Sequence, residues 1–291
     1  MEKSAVPTKF PGKIAVIGAG RMGTGIAQIC LVSGLEVSLF DVSDDPLKKG
    51  KERIESGLDT AVERGTLPAL EKAPALSRLH LVNTLSGLKD ADFVIEAAVE
   101  IEKVKIEIFR EIDALLSEKM PFATNTSSIS ITRLAGATRR PEKVIGMHFM
   151  NPVPVMPLVE IIRGTDTSEE TFTLTRSFAE KLGKTVVVSR DRPGFIVNRI
   201  LMPMINEAVF ALMEGVASAQ DIDLAMKAGA HFPQGPLELA DLIGLDVCLD
   251  ILQVLHRDLG DPKYRPCPLL RNHVEAGWLG KKSGRGFYSY I

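Results

Sequence analysis

Long apolar runs are missing from this chain of 291 residues. No stretch reaches the roughly 18 consecutive apolar residues that a membrane-spanning helix needs, so no membrane partner is expected. Cysteine is scarce: Cys30, Cys248 and Cys267 are the only three. An odd number without C-x-x-C spacing argues against a disulfide framework or a zinc site and for a reducing compartment. An excess of positive charge is also absent. The 35 Lys and Arg stand against 37 Asp and Glu, a net charge of −2, so a nucleic-acid partner is not expected. The opening M-E-K-S-A-V-P-T-K-F-P-G has neither the apolar stretch of a signal peptide nor the arginine-rich character of a transit peptide, and a cytoplasmic protein is expected. No internal repeat and no low-complexity segment is found.

What is present suits a soluble globular protein. With 45% hydrophobic and 25% charged residues, the chain can build a sizeable core, and its length predicts about two domains. Residues 13–17, K-I-A-V-I, read as a buried parallel strand, and 25–34 as a helix ended by Gly34. Further strands are expected at 36–41, 92–97, 122–125, 144–149 and 186–189. Helices are expected at 44–64, 104–116 and 169–182. The alternation predicts an α/β fold with a Rossmann-type doubly wound sheet. Beyond D-R-P-G (191–194) the pattern turns helical, at 195–215, 219–229 and 238–256. A nucleotide-binding domain over 1–191 and an all-α domain over 192–291 are expected.

G-A-G-R-M-G (18–23) is a G-x-G-x-x-G that follows a strand and opens a helix. Gly18 allows the tight turn, Gly20 lets the backbone approach a pyrophosphate, and Gly23 allows close helix–strand packing. With Arg21 and Met22 these residues form the first turn of a helix whose free N–H groups would meet the phosphates. Asp41 closes the next strand. There it would accept hydrogen bonds from ribose hydroxyls and repel a 2′-phosphate, favouring NAD over NADP; a solvated strand-end carboxylate is the plainer reading.

A nicotinamide cofactor carries hydride, so the protein must supply a base. His148 stands at the end of an apolar strand, where open α/β sheets bind ligands, and imidazole titrates near neutrality. Glu160 is the sole carboxylate between Glu142 and Asp166. If the proline-rich segment between them folds back, the carboxylate can hold the imidazole in one tautomer. From periodicity alone, a hydrogen-bonded core histidine remains the competing interpretation.

N-T-S-S (125–128), H-F-M-N-P-V-P-V-M-P-L-V-E (148–160) and P-G-F-I-V-N-R (193–199), in that order after the glycine motif, resemble the L-3-hydroxyacyl-CoA dehydrogenase family, which includes 3-hydroxybutyryl-CoA dehydrogenases. The likeness extends to G-P-L-E-L-A-D-L-I-G-L-D (235–246) and G-K-K-S-G-R-G-F-Y (280–288). It implies NAD-dependent, reversible oxidation of an (S)-3-hydroxyacyl-CoA to a 3-oxoacyl-CoA, as in fatty-acid β-oxidation. His148 then matches the general base and Glu160 its partner. Ser127 matches the serine on the substrate's 3-oxygen, and Asn198 an asparagine that orients histidine and substrate. Cofactor contacts fall on Asp41, Glu100, Lys105, Asn151 and Lys282. Without the resemblance, Ser127 reads as a helix cap and Lys105 as a solvated face residue.

There are departures. Pro157 stands where relatives often carry a polar residue, Gly57 where some place a serine against the coenzyme A nucleotide, and Arg64 where those carry lysine. Arg53 and Arg64 could meet the 3′-phosphate, although a solvated helix face explains them equally well. The competing functions are a related dehydrogenase of a free hydroxyacid or sugar acid, and a non-catalytic crystallin-like relative. The apolar surplus of the helix at 195–215 predicts a homodimer joined through the helical domain.

Overall fold

A computed structural model describes residues 10–290; residues 1–9, and with them most of the segment inspected above for leader signals, lie outside the described residues. The chain divides into two compact units, Met1–Arg192 and Pro193–Ile291.

The first unit carries eight strands: β1 (Lys13–Ile17), β2 (Glu36–Phe40), β3 (Leu79–Val82), β4 (Phe93–Glu96), β5 (Phe122–Thr124), β6 (Val144–Phe149), β7 (Leu158–Arg163) and β8 (Thr185–Arg190). They form one sheet in the order β3-β2-β1-β4-β5-β6-β7-β8. Helices α1 (Arg21–Val32), α2 (Asp44–Glu63), α3 (Ala69–Ser77), α4 (Glu102–Leu115), α5 (Ile131–Ala135) and α6 (Glu169–Lys181) connect them. All pairings are parallel except β6 with β7. Helical crossovers return the chain to the same end of the sheet and impose parallel pairing. Between β6 and β7 only the segment 150–157 intervenes, so those two strands run antiparallel.

The sheet core is aliphatic and continuous, from Ile14 and Val16 through Ile95 and Ala123 to Ile145 and Ile161. Helix α2 has two acidic residues, Asp44 and Asp45, in its first turn, where they complement the positive end of the helix dipole. Four elements of this unit were not expected from the sequence: α3, which tolerates Pro74 inside it, the neighbouring edge strand β3, the short helix α5 and the strand β7, which carries Glu160. Gly65 and Pro68 had read as the end of structure ahead of α3, and Pro74 removes the helical signal that the remaining residues carry.

The second unit is helical: α7 (Val197–Met213), α8 (Ala219–Ala230), α9 (Pro236–Ile243), α10 (Leu245–Leu259) and α11 (Pro268–Glu275). Its own core gathers Met202, Ile205, Val209, Leu237, Leu252, Leu255 and Leu270. The single helix expected over 238–256 is two. Gly244 breaks it at φ 108°, and a Cβ there would lie 2.9 Å from Asp246 Oδ1 and 3.1 Å from Lys282 Nζ. Helix α11 was also unforeseen, although Pro268 at its first turn is a regular helix opener.

All three cysteines are buried and free. Burial pushes the thiols of Cys30 and Cys248 up to about 12, which leaves them protonated and unreactive. Among the described residues no helix is long and apolar enough to cross a membrane.

Candidate active site

The carboxyl ends of β1, β4, β5 and β6 are joined by a row of hydrogen bonds. Ala97 N–H donates to Ile17 O (2.7 Å) and Asn125 N–H to Glu96 O (2.7 Å). Phe149 N–H then donates to Asn125 Oδ1 (2.9 Å). The strand order reverses between β1 and β4, and at such a switch point an open sheet leaves a crevice for ligands.

The glycine loop lines this crevice. Gly18 has φ 103°, and a Cβ there would stand 2.6 Å from Ala97 O; at Gly23 it would meet Gly18 O at 1.8 Å. Among the described residues, its chain neighbours aside, nothing lies within 4 Å of the corresponding position at Gly20. The first and third glycines are therefore demanded by the fold, while the second keeps open the space that a pyrophosphate would take. Arg21 is exposed and Met22 packs partly against the sheet core, so what both offer a ligand is the backbone of the first helical turn. Asp41 accepts from Ala19 N–H and Val42 N–H, each at 2.9 Å. The carboxylate thus braces the loop and retains lone pairs for ribose hydroxyls. Open backbone approach, helix N-terminus and an acceptor-only carboxylate together fit NAD.

Next to the loop lies a charged cluster. Lys105 is fully buried and donates to Glu96 Oε1 (2.6 Å), itself fully buried. Glu96 also accepts from Ala98 N–H (2.7 Å) and Thr124 Oγ1 (2.6 Å). Lys105 Nζ is 3.5 Å from Glu100 Oε2. Glu100 Oε1 in turn accepts from Thr126 Oγ1 (2.5 Å), Ser127 N–H (2.9 Å) and Ser128 N–H (3.2 Å). The solvated-face reading of Lys105 is thereby corrected: its helix position faces the sheet, where Glu96 compensates the charge. Ser127 is no helix cap either, since Ser130 caps α5 by accepting from Arg133 N–H. Glu96 escaped the sequence reading, yet it carries the same signal as Glu160, a carboxylate closing an apolar strand.

Desolvation alone would push the Glu100 carboxyl up, but the Lys105 ammonium and the hydrogen bonds from Thr126, Ser127 and Ser128 hold it below the usual glutamate value. A depressed folded value means stability that is present above the unfolded value of about 4.3 and lost as pH falls through the lower folded one. The stability advantage of the native chain over Glu100→Gln should therefore be full at pH 6 and shrink as the pH falls below the unfolded value, as read from thermal melts across that range.

His148 and Glu160 are paired in register on the antiparallel strands β6 and β7. Directly opposed residues of such a pair share one face of the sheet, and Nδ1 of His148 lies 2.6 Å from Glu160 Oε2 with both residues buried. A carboxylate accepts only, so Nδ1 carries the hydrogen and Nε2 is the basic nitrogen. Asn125, quoted in the sequence motif but given no role, fixes Phe149 next to the histidine.

The remaining candidates are spread more widely. Asn151 is exposed and precedes Pro152 through a cis peptide bond. Asn198 sits in the first turns of α7, in the second unit. Lys282, also there, donates to both oxygens of Asp246 at 2.5 Å. Arg53 lines a groove of about 540 Å³ along α2 with Lys49, Glu52, Ser56, Gly57 and Thr60. Arg64, at the C-cap of α2, is not among the residues lining it. A Cβ at Gly57 would lie 2.2 Å from Gln28 Oε1: the space a serine would need is filled by the Gln28 amide.

Residues 13–192 match the NAD binding domain of 3-hydroxyacyl-CoA dehydrogenase, and residues 194–290 match its C-terminal domain. The chain is 57% identical over 278 residues to a 3-hydroxybutyryl-CoA dehydrogenase of Bradyrhizobium diazoefficiens, covering 96% of this chain and 95% of the relative. It is 42% identical to the human mitochondrial hydroxyacyl-coenzyme A dehydrogenase, over 95% and 90% of the two chains. The crystal structure of (S)-3-hydroxybutyryl-CoA dehydrogenase from Ralstonia eutropha superposes with a TM-score of 0.93 at 48% identity, covering 97% of this chain and 99% of that one. With both domains matched and nearly the whole length aligned, the chain belongs to the 3-hydroxyacyl-CoA dehydrogenase family of NAD-binding oxidoreductases.

Proposed function

We propose that the protein oxidises (S)-3-hydroxyacyl-CoA to 3-oxoacyl-CoA reversibly, with short acyl chains such as 3-hydroxybutyryl as substrates and NAD as cofactor. The observation that carries this reading is the buried His148–Glu160 pair at 2.6 Å, on the same sheet whose strand ends hold the glycine loop. Bound NAD supplies the hydride acceptor for C3 of the substrate. His148 Nε2 takes the 3-hydroxyl proton as that hydride leaves, and Glu160 stabilises the resulting imidazolium through Nδ1. Ser127 donates to the 3-oxygen, while Glu100 holds the backbone on which Ser127 sits. By the family resemblance, Asn198 matches the asparagine that orients histidine and substrate. Asp41, Glu100, Lys105, Asn151 and Lys282 serve the cofactor; Lys105, sealed from solvent, acts from beneath through Glu96 and Glu100. The groove beside α2, with Arg53 and Lys49, suits the anionic nucleotide of coenzyme A; Arg64 lies outside its lining, and a role on the 3′-phosphate rests on the resemblance alone.

Reduction of acetoacetyl-CoA by NADH tests the proposal, with free acetoacetate and NADPH as controls. Turnover confined to acetoacetyl-CoA and NADH is expected; equal turnover of the free acid would transfer the protein to the hydroxyacid dehydrogenases. We also infer a cytoplasmic homodimer serving fatty-acid β-oxidation. Ile200 (67% exposed), Leu224 (59%) and Leu242 (54%) give the helical unit an apolar surface for a second copy. Sedimentation at micromolar concentration should return twice the chain mass, and a monomer would refute the dimer.

A further inference from the structure

Lys184 has no part in the chemistry above, yet its side chain is buried just after α6, at the start of β8. Burial pushes its ammonium down from the ordinary lysine value, and among the described residues no carboxylate counters that shift. A buried ammonium without a carboxylate is costly unless its protons are well bonded. Here they reach two backbone carbonyls, Val153 O at 2.6 Å and Met156 O at 2.8 Å. Both belong to the segment 150–157, which joins the strand of His148 to the strand of Glu160.

That segment has little else to hold it. Of residues 151–157 only Val153 is buried. Its side chain plugs against α1, where a Cβ on Gly25 would stand 2.9 Å from Val153 Cβ. Within the segment, Val155 N–H and Met156 N–H both donate to Pro152 O (3.0 and 2.9 Å), and its end is tied by Thr185 N–H to Pro157 O (2.8 Å). The turn thus hangs from an apolar plug on the nucleotide helix, a buried ammonium and the Thr185 tie at its end.

We propose that Lys184 is a positioning residue for the cofactor side of the site: by donating to Val153 and Met156 it holds the 150–157 segment, and Asn151 with it, in the shape that receives the dinucleotide. The inference rests on the cofactor role proposed for Asn151. It gives a reason for a lysine where an apolar residue would fill the space without a desolvation cost, since methionine cannot bond two carbonyls that face inward from an exposed turn.

The test reads cofactor binding directly, by NADH fluorescence titration at a temperature where every variant is folded. Lys184→Met should raise the NADH dissociation constant roughly tenfold at unchanged binding stoichiometry, while the KM for acetoacetyl-CoA moves less than about twofold. Asn151→Ala should cost clearly less affinity in the Lys184→Met background than in the native chain, because the two act through one segment. Unchanged affinity, loss of stoichiometry without loss of affinity, or additive effects of the two substitutions would overturn the role. Where Lys184→Met does not accumulate as folded protein, Lys184→Gln carries the same comparison. Absence of acetoacetyl-CoA turnover in the native chain would sink the proposed reaction but not this one, whose deciding readouts, the NADH dissociation constant and its coupling to Asn151→Ala, are measured without turnover.

Discussion

Replacing His148 with glutamine lowers kcat by roughly 10²–10⁴-fold while leaving NADH affinity nearly unchanged. Glutamine is close in volume and keeps a polar group facing Glu160, so the buried site is not left with an unpaired carboxylate. What it cannot do is take a proton. The His148–Glu160 contact of 2.6 Å assigns the hydrogen to Nδ1, and the loss falls on the work of Nε2. Steady-state kinetics with acetoacetyl-CoA and NADH give kcat, and fluorescence titration gives cofactor affinity. A variant with native kcat and a lowered melting temperature would return His148 to the role of a core histidine.

Lys105→Met produces the largest expected loss of stability, about 3–5 kcal/mol. Lys105 and Glu96 are both fully buried and 2.6 Å apart, so removing the ammonium leaves a carboxylate in the sheet without its counter-charge. The hydrogen bonds from Thr124 and Ala98 offset only part of that. Removing both charges, as Lys105→Met with Glu96→Gln, should recover much of the stability, because the neutral amide stays hydrogen-bonded to Ala98 and Thr124 without the penalty of an unpaired buried charge. It should not recover NADH affinity, since Glu100 loses the cation that lies 3.5 Å away. Urea unfolding of the single and double variants decides this. If the double variant is less stable than Lys105→Met alone, an isolated buried charge is not the cause.

These two sites differ in how visible they are from sequence. His148 and Glu160 could be named because each is a lone polar residue closing an apolar stretch, and the longer motifs around them resemble a known family. Their meeting could not be read off. Periodicity stops at the prolines of 150–157, and only the hairpin makes β7 antiparallel, so that His148 faces Glu160 in register. Lys105 illustrates the reverse failure. Its helix alternates charged and apolar residues, and a lysine there looks solvated until the sheet places Glu96 beneath it. Gly57 is similar: the departure is plain in sequence, its reason is Gln28, twenty-nine positions away on another helix.

By itself, then, the sequence determined the alternation of strands and helices, the boundary near Pro193, the glycine loop and the identity of the candidate base. These depend on local spacing and on backbone demands that neighbouring residues express. Tertiary structure alone decided the break at Gly244, the burial of Lys105, the pairing of His148 with Glu160 and the clasp of Lys184 on the turn between them. Each of those is a contact between distant segments, and its energy comes from desolvation and hydrogen-bond geometry that no local pattern encodes.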